Sequence, residues 1–200
     1  SIRNNMRNKP PVDFDKFASE KSILFITTSP VKKALHGLAN IFVSQAISEL
    51  FTIADESIAG ALEIPTDIIF DDFATGAKIS DMPEKLSICR AKGIAFSGIL
   101  LQSESQLKRM YGEYEAIEII DQCDSYVFFG GNNYETAKAL SLKMNVPLDE
   151  ILYLPVGRTI VFRRGQKPVF STRYDIYNDE FYKRITKEYE NKSNRSLKVR

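Results

Sequence analysis

The chain has 200 residues, 44% of them hydrophobic and 26% charged, with a formal net charge of +1. That length suits one compact domain, or one and a half, with a substantial core. The near-neutral balance excludes a surface dominated by polyanion binding but leaves room for local basic patches. The single histidine, His36, has too few partners for a zinc centre and reads as structural. Cys89 and Cys123 stand far from any C-x-x-C pattern and read as buried free thiols of a reducing compartment. No window approaches about 18 consecutive apolar residues, so no membrane span is expected. Ser1 to Pro11 is polar and basic without the apolar core of a signal peptide, which makes a cytoplasmic chain the expectation. The abrupt polar start without Met further suggests a piece of a longer protein.

In chain order, a linker over 1–12 ends at Pro10-Pro11. Ser22 to Thr28 then reads as a short buried strand. Apolar residues at Leu35, Leu38, Ile41, Phe42, Ala46, Ile47 and Leu50 follow helical spacing and predict an amphipathic helix over Ala34–Ala54. Asp67–Phe70 is the second strand. Asp81 is placed to cap a helix that runs to about Ala91, with Pro83 in its first turn and Gly93 ending it. Ile94–Leu101 is the third strand, with Gln102 at its carboxyl end, and helices follow over Glu104–Met110 and Tyr114–Gln122. Tyr126–Phe129 is the fourth strand, after which Gly130-Gly131 permits a tight turn and Asn133 caps a helix to Met144. Arg158–Phe162 and Pro168–Thr172 read as a hairpin around Arg164-Gly165-Gln166-Lys167. A last helix covers Asp179–Glu190, and the acid-free basic run 191–200 reads as a frayed, disordered tail.

Strands alternating with helices predict an α/β sheet, mostly parallel, with helices on both faces. Ligands of such sheets sit outside the carboxyl ends of the strands. Asp71, Asp72, Gln102 and the Gly130-Gly131 turn all fall at strand carboxyl ends. The apolar run Ile68-Ile69-Phe70 entering Asp71-Asp72 has the look of a Walker B strand, in which one acid holds Mg²⁺ through water and its neighbour orients a nucleophilic water. Its usual companion, a G-x-x-x-x-G-K-[ST] phosphate loop, occurs nowhere in the 200 residues.

A set of short motifs stands in order along Ile68 to Tyr177. The acidic strand comes first, then Cys89-Arg90-Ala91-Lys92-Gly93-Ile94 and Leu101-Gln102-Ser103-x-x-Gln106-Leu107. Tyr111-Gly112 follows, then Val127-Phe128-Phe129-Gly130-Gly131, Glu135-Thr136-Ala137, Gly157-Arg158 and Lys167-Pro168-Val169. In this order they resemble the coupling proteins of bacterial conjugation and type IV secretion, the VirD4/TraG/TraD family. The resemblance implies the carboxyl-terminal part of a RecA-like, three-layer motor domain over 13–190, with a closing β-hairpin. It also implies a missing central strand, because the phosphate-loop strand of such motors lies between the strand ending in Gln102 and the one ending at Phe129. The intact protein would be membrane-anchored, its motor on the cytoplasmic side of a bacterial inner or cell membrane. It would form a homo-hexamer, use ATP and Mg²⁺, and link a relaxase and its DNA to the secretion channel components.

The resemblance assigns Asp71 to Mg²⁺ and nucleotide, against the plainer reading of a turn aspartate. It makes Asp72 the residue that orients water, although the family's usual residue there is Glu, and an arm shorter by one methylene puts positioning in doubt. Gln102 is implied to sense the γ-phosphate, against an amide that satisfies loop carbonyls, and Gln106 supports the loop. Arg90 reads either as an arginine finger acting in trans or as a helix-end cation paired with a surface acid. Arg163, Arg164 and Lys167 read as a solvated turn, or in a ring as a contact to DNA phosphates or the next subunit. Tyr174, Tyr177 and Tyr182 read as packing rather than base-stacking residues. Alone, the chain is expected to be inactive, and monomeric or dimeric. The rival reading is a non-catalytic docking module for relaxosome proteins or other secreted partners, and a third is a DNA-translocating motor outside conjugation.

Overall fold

A computed structural model describes residues 12–28, 34–76 and 78–197 of the chain. Two compact units divide after Asp124. The first holds helices α1 (Phe14–Ser19), α2 (Ala34–Glu56), α3 (Met82–Cys89), α4 (Glu104–Tyr111) and α5 (Glu113–Gln122), with strands β1 (Thr66–Phe70) and β2 (Ile94–Ile99). The second holds β3 (Ser125–Phe128), α6 (Tyr134–Met144), α7 (Leu148–Leu152), β4 (Arg158–Arg163), β5 (Val169–Thr172) and α8 (Glu180–Leu197). The expected α/β class, parallel pairing and closing hairpin are all present.

In the first unit β1 and β2 run parallel, with Thr66 opposite Ile94 and Phe70 opposite Ile99. Only one sheet face is packed among the described residues. Ile68, Phe70, Ile94, Phe96 and Ile99 join Leu50 and Ala54 of α2, Met82 of α3, Leu107 and Tyr111 of α4, and Ile119 of α5. Asp67, Ile69, Ala95 and Ser97 lie exposed, and the Ser97 hydroxyl donates to Asp67 at 2.8 Å. Helix α2 covers the predicted span. By length and composition, its stretch His36–Glu56 is also apolar enough to cross a membrane. The test of unbroken apolar runs missed this, because scattered Ser and Asn residues interrupt the run without lowering its average much. Here Ile47, Leu50 and Ala54 are buried in the core.

Several expectations need correction. Ser22–Thr28 is not a strand: residues 21–28 have no regular secondary structure and are exposed throughout. Four consecutive apolar residues signal burial on both faces, and nothing among the described residues supplies the strand partner or the cover. Asp81 does precede α3, but with φ 54° and no side-chain capping bond. The short helix α1 was missed, although Asp13 caps it by accepting the Lys16 N–H at 3.0 Å.

In the second unit β3 is antiparallel to β4, and β4 to β5. Hydrophobic runs record burial and not direction, so the antiparallel pairing of β3 with β4 is not legible in the sequence. The core joins Ala137 and Leu140 of α6, Ile151 of α7, and Ile160 and Phe162 of β4. Asn133 caps α6 by accepting the Thr136 N–H at 2.9 Å, as expected. Gly130 has φ 90°, a conformation that favours glycine. Helix α8 begins at the cap Asp179, which accepts the Tyr182 N–H at 2.8 Å. It continues to Leu197, so the tail expected to be disordered from Asn191 is helical over 191–197.

What positions the acids is the join after β1. The Leu100 N–H donates to the Phe70 carbonyl at 2.9 Å, and the Phe73 N–H donates to the Leu100 carbonyl at 3.0 Å. One residue just past the neighbouring strand thus holds the chain on both sides of Asp71 and Asp72. Asp72 turns the corner in the left-handed region, at φ 52° and ψ 46°. Behind it the buried Phe73 ring stacks on Tyr111, with centroids 5.6 Å apart and planes at 13°. The Tyr111 hydroxyl accepts the Ile79 N–H at 3.1 Å, and Lys78 reaches over its ring to pair with Glu115 at 2.7 Å.

Two outcomes follow. Tyr111→Phe keeps the ring stack but strands the Ile79 donor, and urea unfolding should show a loss of roughly 1–3 kcal/mol. Burial and the nearby Glu115 charge push the Tyr111 phenol up to about 12. The folded state therefore keeps its proton above pH 10, where the unfolded chain gives it up. Stability should fall between pH 10 and 12, and Tyr111→Phe should remove that part of the slope. At the corner, Asp72→Ala should cost roughly 1–2 kcal/mol from the left-handed backbone, whereas Asp72→Gly and Asp72→Asn should unfold at urea midpoints close to the parent.

Candidate functional site at the strand ends

The parallel pair brings Asp71, Asp72 and Gln102 to one edge, at the carboxyl ends of β1 and β2. The Gln102 side-chain amide donates to Asp72 Oδ1 at 3.0 Å, and the Gln106 amide donates to Gln102 Oε1 at 3.2 Å. The Thr75 hydroxyl closes the corner by donating to the Asp72 carbonyl at 2.8 Å. Sequence reasoning placed these residues on one edge but missed the direct Asp72–Gln102 contact, since neither spacing nor periodicity encodes a side-chain bond between residues 30 apart. Thr75 was missed as well; a hydroxyl three residues beyond the second acid is the signal that pointed to it.

Asp71 is exposed, and among the described residues it makes no hydrogen bond or ion pair. An uncommitted carboxylate beside a committed one suits Mg²⁺, which takes one or two acids and fills its remaining positions with water and phosphate oxygens. A closed protein cage does not fit: no group of three or more His, Cys, Asp or Glu able to hold a metal occurs among the described residues.

Arg90 is not part of this cluster. It lies in the turn Arg90–Lys92 that leads into the amino end of β2, whereas Asp72 and Gln102 stand at the carboxyl ends. The length of β2, about 3.3 Å per residue, separates the two. Its neighbour Lys92 is the one paired with a surface acid, Asp55. Cys89 is buried and Cys123 half-buried, both free, and burial pushes both thiols up.

Gly130 and Gly131 belong to the second unit and follow β3. There too, Arg163, Arg164 and Lys167 are exposed where β4 turns into β5, and the turn is closed by the Gln166 N–H on the Arg163 carbonyl at 3.0 Å. From Ile151 to Tyr174 the sequence holds Arg158, Arg163, Arg164, Lys167 and Arg173 without one acid. The packing expected of the tyrosines holds for Tyr182, which is half-buried and meets Tyr177 edge-to-face. Tyr174 and Tyr177 are 70% and 72% exposed, so beyond that ring contact they are largely solvated. The Tyr174 hydroxyl instead donates to Asp179 at 2.5 Å.

Residues 65–144 match the family model described as the TraM recognition site of TraD and TraG. Comparison with curated protein sequences gives no match. Solved structures of the plasmid conjugative coupling protein TrwB share the fold. The unbound form aligns with TM-score 0.59 at 22% identity, over 70% of this chain and 38% of that one. The complex with the ATP analogue ADPNP aligns with TM-score 0.59 at 23% identity, and the complex with ADP and Mg²⁺ with TM-score 0.58 at 23%. Each of these two covers 70% of this chain and 37% of TrwB. This chain thus spans well under half the length of the coupling protein it matches. Residues 65–144 thus carry a likeness to the TraM recognition site of TraD and TraG, and the chain shares its fold with TrwB.

Proposed function

We propose that this region supplies the acid and sensor half of a nucleotide-hydrolysing site in an ATP-driven conjugative coupling protein. That protein would be a membrane-anchored hexamer linking a relaxase and its DNA to a type IV secretion channel, with the motor on the cytoplasmic side. The observation that carries this is the Asp72–Gln102 bond at the carboxyl ends of a parallel strand pair, beside the uncommitted Asp71. Bound Mg-ATP would supply the phosphoryl group to be transferred. Asp71 would hold the cation through its exposed carboxylate, Asp72 would accept a proton from the attacking water, and Gln102 would donate to phosphate oxygen. The outward corner at Asp72 would compensate for the methylene it lacks relative to Glu. Arg90, at the far end of β2, would serve a neighbouring subunit's site in trans. Three structures of TrwB carry nucleotide, in complexes with ADPNP, GDPNP and ADP–Mg²⁺.

A second reading is favoured by the matching family model itself, described as a recognition site for TraM. In that reading the segment docks a relaxosome protein and the acids serve only to shape the corner. Asp71→Asn with Asp72→Asn separates the two, because loss of DNA transfer supports hydrolysis, whereas unchanged transfer with partner binding lost on surface substitution supports docking.

Without a phosphate loop the backbone donors and lysine that give most triphosphate affinity are missing. Isothermal titration of this chain with Mg-ATP should therefore give no measurable heat of binding, and micromolar affinity would overturn the division of the site. The acid-free hairpin predicts a second outcome. If Arg163 and Lys167 meet DNA phosphates, replacing each by Ala should lower the salt slope for a single-stranded oligonucleotide by about 0.7, read by fluorescence anisotropy. An unchanged slope assigns the turn to solvent or to the next subunit.

A further inference from the structure

Gln102 is flanked by two groups with different capabilities. An ionised carboxylate only accepts, so the end of the Gln102 side chain that faces Asp72 must be its NH₂. Its oxygen is then turned to Gln106, and Gln106 must answer with N–H. The distances agree, at 3.0 Å from Gln102 Nε2 to Asp72 Oδ1 and 3.2 Å from Gln106 Nε2 to Gln102 Oε1. The chain of amides therefore has one polarity, running from Gln106 to the acid.

Gln106 is well placed to enforce it. It sits in the first turn of α4 and is half-buried, whereas Gln102 lies outside the helix and is exposed. The helix does not need the Gln106 side chain as a cap, because Ser103 fills that role by accepting the Gln106 backbone N–H. The side chain is thus free to serve Gln102. With its oxygen turned to Gln106, Gln102 points its NH₂ at the strand ends. One N–H is engaged by Asp72 and the other is left for an incoming acceptor.

We propose that Gln106 is a positioning residue that fixes Gln102 as a donor, so that the group Gln102 meets at the strand ends is an anionic oxygen of the terminal-phosphate class. The phosphate assignment rests on the function proposed above; the amide polarity does not. It makes Gln102 a sensor of charge rather than of shape, since water or a neutral carbonyl returns less from a charge-directed donor than an anionic oxygen does.

The test uses the side-chain amide signal of Gln102 in ¹⁵N-labelled protein. Gln106→Leu removes the donor, and exchange of the Gln102 amide protons with water should speed up roughly 2- to 10-fold, the worth of one net hydrogen bond. Gln106→Glu replaces the donor by a group that only accepts, so Gln102 should turn over and donate to residue 106. Asp72→Ala should then shift the Gln102 amide signal in the parent background but not beside Gln106→Glu. Equal shifts in both backgrounds overturn the proposal, as does unchanged exchange in Gln106→Leu. Backbone spectra that match the parent show that neither variant has simply unfolded. In a full-length coupling protein that bears this segment, Gln106→Glu should lower kcat roughly tenfold or more with KM little changed, as misplacement of a reacting group does. An unchanged kcat overturns the positioning role. Absence of ATP hydrolysis in that protein before any substitution overturns the nucleotide reading, and with it the phosphate assignment, while the amide polarity is still judged by the labelled signal.

Discussion

Two hydrogen bonds from one residue organise the candidate site. Leu100 accepts and donates on either side of Asp71-Asp72, so the two acids protrude at the strand ends from a backbone fixed on both sides of them. A free strand end would let carboxylates wander over several ångströms, whereas this closure leaves them only side-chain freedom. The cost is the left-handed backbone at Asp72, a conformation Asp tolerates better than most side chains. The stacked Phe73 and Tyr111 rings and the Ile79 bond stabilise the chain just beyond that corner. Polar chemistry on the edge and aromatic packing beneath it are therefore one mechanical unit, built from two stretches of the sequence, residues 70–79 and 100–111.

The same arrangement orders the roles of the residues. Among the described residues Asp71 has no partner and Asp72 is engaged by an amide, so two adjacent carboxylates of one chemical type differ in availability. The difference arises from backbone geometry and from a residue 30 positions away, not from the identity of the acids. Arg90, by contrast, is carried to the amino end of β2 by the helix that precedes it, and any part it plays must be at another site.

Much of this could be read from the sequence because parallel strands impose a simple rule. Residues just past the carboxyl ends of neighbouring strands share an edge, and that alone groups Asp71, Asp72 and Gln102. Helix limits were legible where a capping side chain marks them, as at Asn133, or where Gly93 supplies a left-handed stop. The rest failed for physical reasons. The closure depends on the backbone of Leu100, which has no sequence signature. The direction of β3 depends on pairing with β4, which an apolar run does not encode. The helical continuation over 191–197 and the exposed Tyr174 and Tyr177 show that charge runs and aromatic spacing are weak guides where packing is thin. The run Ser22–Thr28 shows the opposite failure, a strong local signal without the surroundings it needs.

That run has a practical side. Ile23, Leu24, Phe25 and Ile26 form an uncharged, β-favouring stretch without regular secondary structure, with Ile23 and Phe25 more than three-quarters exposed. Such a segment offers its backbone to any strand edge it meets, including the same segment of another molecule. Handled in isolation, the protein therefore carries its own seed for aggregation. Its shelf life at high concentration will be governed by seven residues that lie outside both the acid corner and the basic hairpin.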